Sequence, residues 1–120
     1  MKVGISGIIT PDEWSFEETI NTIKDAGYEA LEVCVTAEGE LSLETSESDL
    51  QDMAAFAEDQ GVEIASVCGQ IRGLDKDIMT NDMEVWNNSI ENIRRALDVT
   101  AALGVDTMLL TMGALTDELY

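Results

Sequence analysis

Apolar and polar positions along this chain repeat in three blocks, each an amphipathic helix, a glycine, a short polar step and an apolar strand. In the first block Phe16, Ile20 and Ile23 fall at i, i+4 and i+7 on one helical face, and Ser15 with Glu18 makes a capping box at its start. The second carries the stripe Leu50, Met53, Ala54 and Ala57, and leaves Glu47, Asp49, Asp52, Glu58 and Asp59 for solvent. The third and longest runs from about Asn81 to Leu103, with Met83, Trp86, Ile90, Ile93, Leu97 and Ala101 in register. All three stripes are expected to be packing faces.

Each helix ends at a glycine, Gly27, Gly61 or Gly104, where a left-handed residue is favoured. Their spacings of 34 and 43 residues suit a repeated strand-plus-helix unit and are too irregular for a strict solenoid. Strands are expected near residues 2–6, 30–35, 63–68 and 107–111, short and apolar as in a parallel sheet covered by helices. Helix-length crossovers demand parallel neighbours. The order β-α-β-α-β-α-β leaves two α/β architectures open, a doubly wound sheet or an arc of a (β/α)8 barrel. A dinucleotide site is disfavoured, because Gly4-Ile5-Ser6-Gly7 runs into Ile8-Ile9-Thr10-Pro11 without the G-x-G-x-x-G pattern or a following helix.

Charge narrows the classes of partner. Among 120 residues, 25 Asp and Glu stand against 6 Lys and Arg, for a net charge of −19, while 45% of positions are hydrophobic. The apolar fraction is that of a folded domain, so the acidity does not mark a disordered tail. Phosphate backbones and anionic headgroups would both repel such a surface, so neither nucleic acid nor a membrane is expected as a partner. No apolar run approaches the roughly 20 residues of a membrane span, and the first residues lack a signal peptide's apolar stretch, so a soluble, cytoplasmic protein is expected. Self-repulsion of this size is screened at about 1 M salt, which suits a halophilic source.

Ligands of parallel α/β proteins gather at the carboxyl ends of the strands. Here those ends are Ser6-Gly7, Glu32 to Thr36, Cys68-Gly69-Gln70 and Thr111-Met112-Gly113. Glu32 is an ionisable residue inside the apolar run Ala30-Leu31-Glu32-Val33-Cys34-Val35. If Leu31, Val33 and Val35 face the helices, Glu32 and Cys34 point the other way, into a barrel interior. A carboxylate there needs a partner, either a substrate hydroxyl or metal, or a structural salt bridge to Arg or Lys on a neighbouring strand. Cys34 and Cys68 end adjacent strands without metal-binding spacing and fit the role of small buried hydrophobes. Gln70 and Thr111 are candidates to hydrogen-bond a polyol, or are plain loop-flanking polar residues. Arg72 and Lys76, in the loop after the third strand, are candidate phosphate binders, though no Gly-rich cradle surrounds them. The sequence has no histidine, so Ser-His-Asp, Cys-His and imidazole-ligated metal sites are impossible within this chain.

Lys2-Val3-Gly4-Ile5-Ser6, the helix opening Ser15-Phe16-Glu17-Glu18, and above all Asp25-Ala26-Gly27-Tyr28-Glu29-Ala30-Leu31-Glu32-Val33 resemble the start of the xylose isomerase-like TIM barrels, the sugar phosphate isomerase/epimerase superfamily. Gly61-Val62-Glu63-Ile64-Ala65-Ser66-Val67 and Ala101-Ala102-Leu103-Gly104-Val105-Asp106 are similar to the approaches to that family's third and fourth strands. The resemblance places Glu32 at the family's glutamate closing the second strand, beside the substrate pocket. It implies an eight-stranded barrel whose divalent metal, held by Glu, Asp and His mostly from later strands, assists proton transfer between adjacent carbons of a sugar or polyol.

Such a barrel takes about 250 residues, so the chain is expected to be its N-terminal half, a single partial domain over residues 1–120 with about four βα units. No position matches the metal ligands, so no metal is expected on this chain alone, and the isolated 120 residues are expected to be inactive. Substrate-pocket candidates are Glu32, Cys68, Gln70 and Thr111, and the expected ligand is a small sugar or polyol. Exposed edges of the first and fourth strands invite self-association. Two other readings remain, a non-catalytic half-barrel that assembles with itself and an endonuclease IV-like repair barrel, the latter opposed by the charge and the missing histidines.

Overall fold

Three turns with the same hydrogen bonds set the frame. In a computed structural model the described residues are 1–72, 74, 75 and 77–111, with the backbone alone for 70–72. Gly27, Gly61 and Gly104 take φ of 89°, 76° and 72°, and their N–H groups donate to the carbonyls of Lys24, Glu58 and Ala101. The next residues, Tyr28, Val62 and Val105, donate to Ile23, Ala57 and Thr100, the long bond that closes a helix of the Schellman type. Val62 and Val105 are buried as well, so each reversal is also fixed by packing.

Among the described residues the elements run β1 (Gly4–Ser6), α1 (Phe16–Asp25), β2 (Ala30–Thr36), α2 (Glu47–Asp59), β3 (Glu63–Arg72), α3 (Met83–Ala102) and β4 (Met108–Leu109), with a 3-10 turn at Gly7–Ile9. The four strands are parallel and ordered β1-β2-β3-β4. Caps start the helices. Ser15 Oγ accepts from Glu18 N at 3.1 Å while Glu18 Oε2 accepts from Ser15 N at 2.8 Å, completing the expected capping box. Ser46 and Asp82 cap α2 and α3 without the return bond, Ser46 Oγ accepting from Asp49 N and Asp82 Oδ1 accepting from Glu84 N and Val85 N.

One core joins the sheet to all three helices: Leu31, Val33, Val35 and Val67 pack with Ile20, Ile23, Leu50, Ala57, Val99 and Leu103. The helices therefore cover a single face. Sequential strand order with helices on one side decides between the two architectures, since a doubly wound sheet reverses its order and carries helices on both faces. The observed arrangement is the N-terminal arc of a TIM barrel.

Several boundaries differ from the sequence reading. β1 begins at Gly4 instead of Lys2, and β4 pairs only at Met108 and Leu109 instead of over 107–111, both being sheet edges with one bonded neighbour. β3, an inner strand, extends past Cys68 to Arg72, because a shift in register lets Arg72 pair with Thr36. The face of α3 is also corrected. Of its expected stripe only Ile93 is buried; Met83 and Leu97 are 63% and 50% exposed, Ala101 is exposed, and Trp86 and Ile90 are half-buried. The buried face is Ser89, Ile93, Ala96, Val99 and Thr100, turned by about 100°, one residue, from the expected one. Ser89 and Thr100 enter the interior because their hydroxyls donate at 2.7 Å to the carbonyls of Val85 and Ala96, leaving no orphaned polar group.

Candidate functional site

β2 shows the alternation that its sequence predicts. Leu31, Val33 and Val35 are buried against the helices, and Glu32, Cys34 and Thr36 lie half-buried on the other face. β1 and β3 add polar residues to that second face. Register places Ser6 opposite Glu32 on one side and Ser66 opposite it on the other.

The result is a row across three strands. Ser6 Oγ donates to Glu32 Oε1 at 2.8 Å, and Ser66 Oγ donates to Oε2 at 2.9 Å. Ser6 also accepts from Ile8 N at 3.4 Å, where the chain enters its 3-10 turn. A carboxylate has about four acceptor positions, so after these two bonds each oxygen keeps room for one more donor. Among the described side chains no Lys or Arg pairs with Glu32, and its two oxygens meet two serine hydroxyls. The Arg72 side chain lies outside the described residues.

Ser66 stands opposite Glu32 because of a bulge. Leu31 pairs with Ile64, but Glu32 pairs with Ser66, so Ala65 is the extra residue. Without that shift an alanine would face the carboxylate. Neither serine was singled out as a partner from the sequence, since an even strand period does not reveal a bulge. Gly7 approaches the row closely: a Cβ there would sit 2.9 Å from the Glu32 carbonyl oxygen, so only glycine lets the 3-10 turn cross the end of β2.

The remaining candidates spread around this row. Cys34 and Cys68 are register partners on β2 and β3, the first half-buried and the second 2% exposed; neither is in a disulfide. Thr111 lies beyond β4, and its Oγ1 is buried with no hydrogen-bond partner among the described residues. The side chain of Gln70, all of Lys76 and the segment Met112-Gly113 lie outside the described residues. A separate cleft of about 600 Å³ opens between the β1–α1 and β2–α2 connections, lined by Trp14, Phe16, Cys34, Thr36 and Glu40 among others. Glu40 ties the two connections by accepting from Phe16 N at 2.6 Å. Glu32, Cys68 and Thr111 do not line that cleft.

What this arrangement can do is bind hydroxyls. Glu32 is an acceptor held in place by two serine hydroxyls. It does not fit a divalent metal: no three Asp, Glu or Cys side chains gather into a ligand set among the described residues, and the sequence has no histidine.

Comparison with known proteins agrees with the fold. The sequence model described as "Xylose isomerase-like TIM barrel" matches residues 20–119. No curated protein matches the chain. Among solved structures it is similar to a D-psicose 3-epimerase crystallised in the presence of D-fructose, at 22% identity and a TM-score of 0.68, covering 90% of this chain and 36% of that one. It is also similar to 3-keto-D-glucoside 4-epimerase from E. coli, at 23% identity and a TM-score of 0.67, covering 93% and 38%. A third is D-psicose 3-epimerase with D-tagatose from Clostridium cellulolyticum H10, at 14% identity and a TM-score of 0.71, covering 99% and 43%. The chain thus spans well under half the length of these structures. With a parallel β1-β2-β3-β4 sheet, helices on one face and a family match over most of its residues, the chain belongs to the xylose isomerase-like TIM barrel family.

Proposed function

We propose that this chain forms one wall of the sugar-binding pocket of an isomerase or epimerase that moves a proton between adjacent carbons of a sugar or polyol. The observation that carries the reading is Glu32, held by Ser6 and Ser66 on the side of the parallel sheet away from the helices, with an acceptor position left on each oxygen among the described residues. In this role Glu32 accepts a hydrogen bond from a substrate hydroxyl, and the serines hold the carboxylate to one orientation. The similar structures named for sugar epimerases support the substrate class. Since the described residues offer no metal ligand set, the proposed role of this chain is substrate binding, and the isolated 120 residues turn nothing over.

The exposed side of α3 supports reading the chain as part of a larger barrel. Met83 and Leu97 leave that helix with a second apolar stripe beyond the one on the sheet, and Leu109 on β4 is 49% exposed. A further strand and helix beside β4 and α3 would bury both. A second copy of the chain would do so too, so self-association into a non-catalytic ring is the other reading favoured by the same residues. The excess of acid argues against nucleic acid and anionic membranes as partners. No helix among the described residues is long and apolar enough to cross a membrane.

Nuclear magnetic resonance titration of the 120-residue chain with D-fructose or D-tagatose tests the wall. Shifts are expected at Ser6, Glu32 and Ser66 and are expected to weaken in Glu32→Gln. Shifts confined to other surfaces, or unchanged in the variant, would overturn the reading. An accompanying turnover assay should show no epimerisation, and sedimentation distinguishes monomer from ring.

A further inference from the structure

The two cysteines of this chain, 34 positions apart in sequence, are brought opposite one another. Cys34 of β2 and Cys68 of β3 are register partners in adjacent parallel strands. Registered neighbours project side chains to the same face, here the face of Glu32 and away from the helix core. Neighbouring strands lie about 4.8 Å apart, inside the range of about 4.4 to 6.8 Å between α-carbons that a disulfide spans. Burial divides the pair into two roles: Cys34 is half-buried, whereas Cys68, 2% exposed, is shielded from solvent.

We infer that Cys34 and Cys68 form a reversible dithiol–disulfide site, oxidised by low-molecular-weight disulfides such as glutathione disulfide. The Cys34 thiolate attacks one sulfur of the oxidant, forming a mixed disulfide and expelling one glutathione thiolate, which takes up a proton. The Cys68 thiol, on losing its proton, attacks the Cys34 sulfur, breaks the mixed disulfide and releases the second glutathione. The protein loses two protons and two electrons, and the oxidant takes them up to become two molecules of reduced glutathione. The bond ties β2 to β3 just past the Ser6, Glu32 and Ser66 row, so it staples the face on which that row lies. The inference does not depend on the proposed sugar site.

The test treats the folded 120-residue chain with glutathione disulfide, stops exchange with acid and maps the products by proteolysis and mass spectrometry. The expected product is a Cys34–Cys68 linked peptide pair, two hydrogens lighter than the thiols and restored by dithiothreitol. It should form at least about 10-fold faster in the folded chain than in the chain unfolded in urea, where the thiols meet only by chance. In Cys68→Ser, the glutathione adduct should persist on Cys34. A stable adduct on Cys34 of the unaltered folded chain, disulfides between molecules, or linkage no faster than in urea would each overturn the inference. The comparison of folded with unfolded chain needs no variant, so it stands even if a substitution harms folding.

Discussion

Ser66 meets Glu32 across β2 and β3 only because Ala65 bulges out of register, and its hydroxyl donates to the carboxylate at 2.9 Å. A strand spends an irregularity to put a donor on a charge. Ser66→Ala is expected to destabilise the chain by about 1.5–2 kcal/mol, the lower part of the range for a bond to a charged group because Glu32 is half-buried. Urea unfolding checks it. No loss of stability would mean that water replaces the serine freely.

Gly7 is constrained by distance instead of by torsion. Gly7→Ala would set a methyl 2.9 Å from a backbone oxygen that belongs to β2 and has little room to retreat. We expect a loss of about 1–3 kcal/mol by thermal or urea unfolding. Gly27→Ala meets no atom within 4 Å but keeps φ at 89°, so its cost, about 1 kcal/mol, comes from the left-handed conformation alone. The two glycines thus separate crowding from strain.

α3 offers a direct check on which face is inside. Ile93→Ala is expected to cost about 2–4 kcal/mol, whereas Leu97→Ala, at a residue 50% exposed, should cost less than about 1 kcal/mol. Equal costs measured by urea unfolding would return Leu97 to the core.

Surface charge sets the response to salt and alkali. With 25 acidic and 6 basic side chains, repulsion dominates, and stability should rise as KCl goes from about 0.1 M to about 1 M and the Debye length falls from about 10 Å to about 3 Å. The proposal of a halophilic source rests on that gain, and a flat response in thermal unfolding would remove it. Lys2 shows the opposite attraction. Its pKa is raised, first by the hydrogen bond to Glu63 and then by that residue's charge, with Glu29 adding a little and partial desolvation opposing. A raised cation pKa means stability that is fully present below the ordinary value of 10.5 and is lost as pH climbs through the higher folded one. Lys2→Gln should therefore flatten the alkaline end of the stability profile, with an effect small enough to suit a solvent-exposed pair.

Local chemistry explains what was legible in the sequence. Ser15 with Glu18, the three glycines and the alternation of Leu31, Val33 and Val35 each act within a few residues, so their pattern is written where they act. The position of Glu32 followed from that alternation. Its partners did not, because Ser6 and Ser66 reach it through register, and the register includes a bulge that no periodicity announces. The large apolar residues of α3 point to a face that its small buried residues do not share. Ser89, Ala96 and Thr100 pack inside on the strength of size and self-satisfied hydroxyls, while Met83 and Leu97 stay outside.

The three glycine turns divide labour between the two ends of the sheet. Links from helix to strand take only residues 26–29, 60–62 and 103–107, each locked by backbone bonds and a buried or half-buried apolar residue. Links from strand to helix span 7–15, 37–46 and 73–82. One rim is made of short, hydrogen-bonded turns that hold strand order and register, so the longer connections on the opposite rim are free to vary in sequence without asking the fold to be solved again.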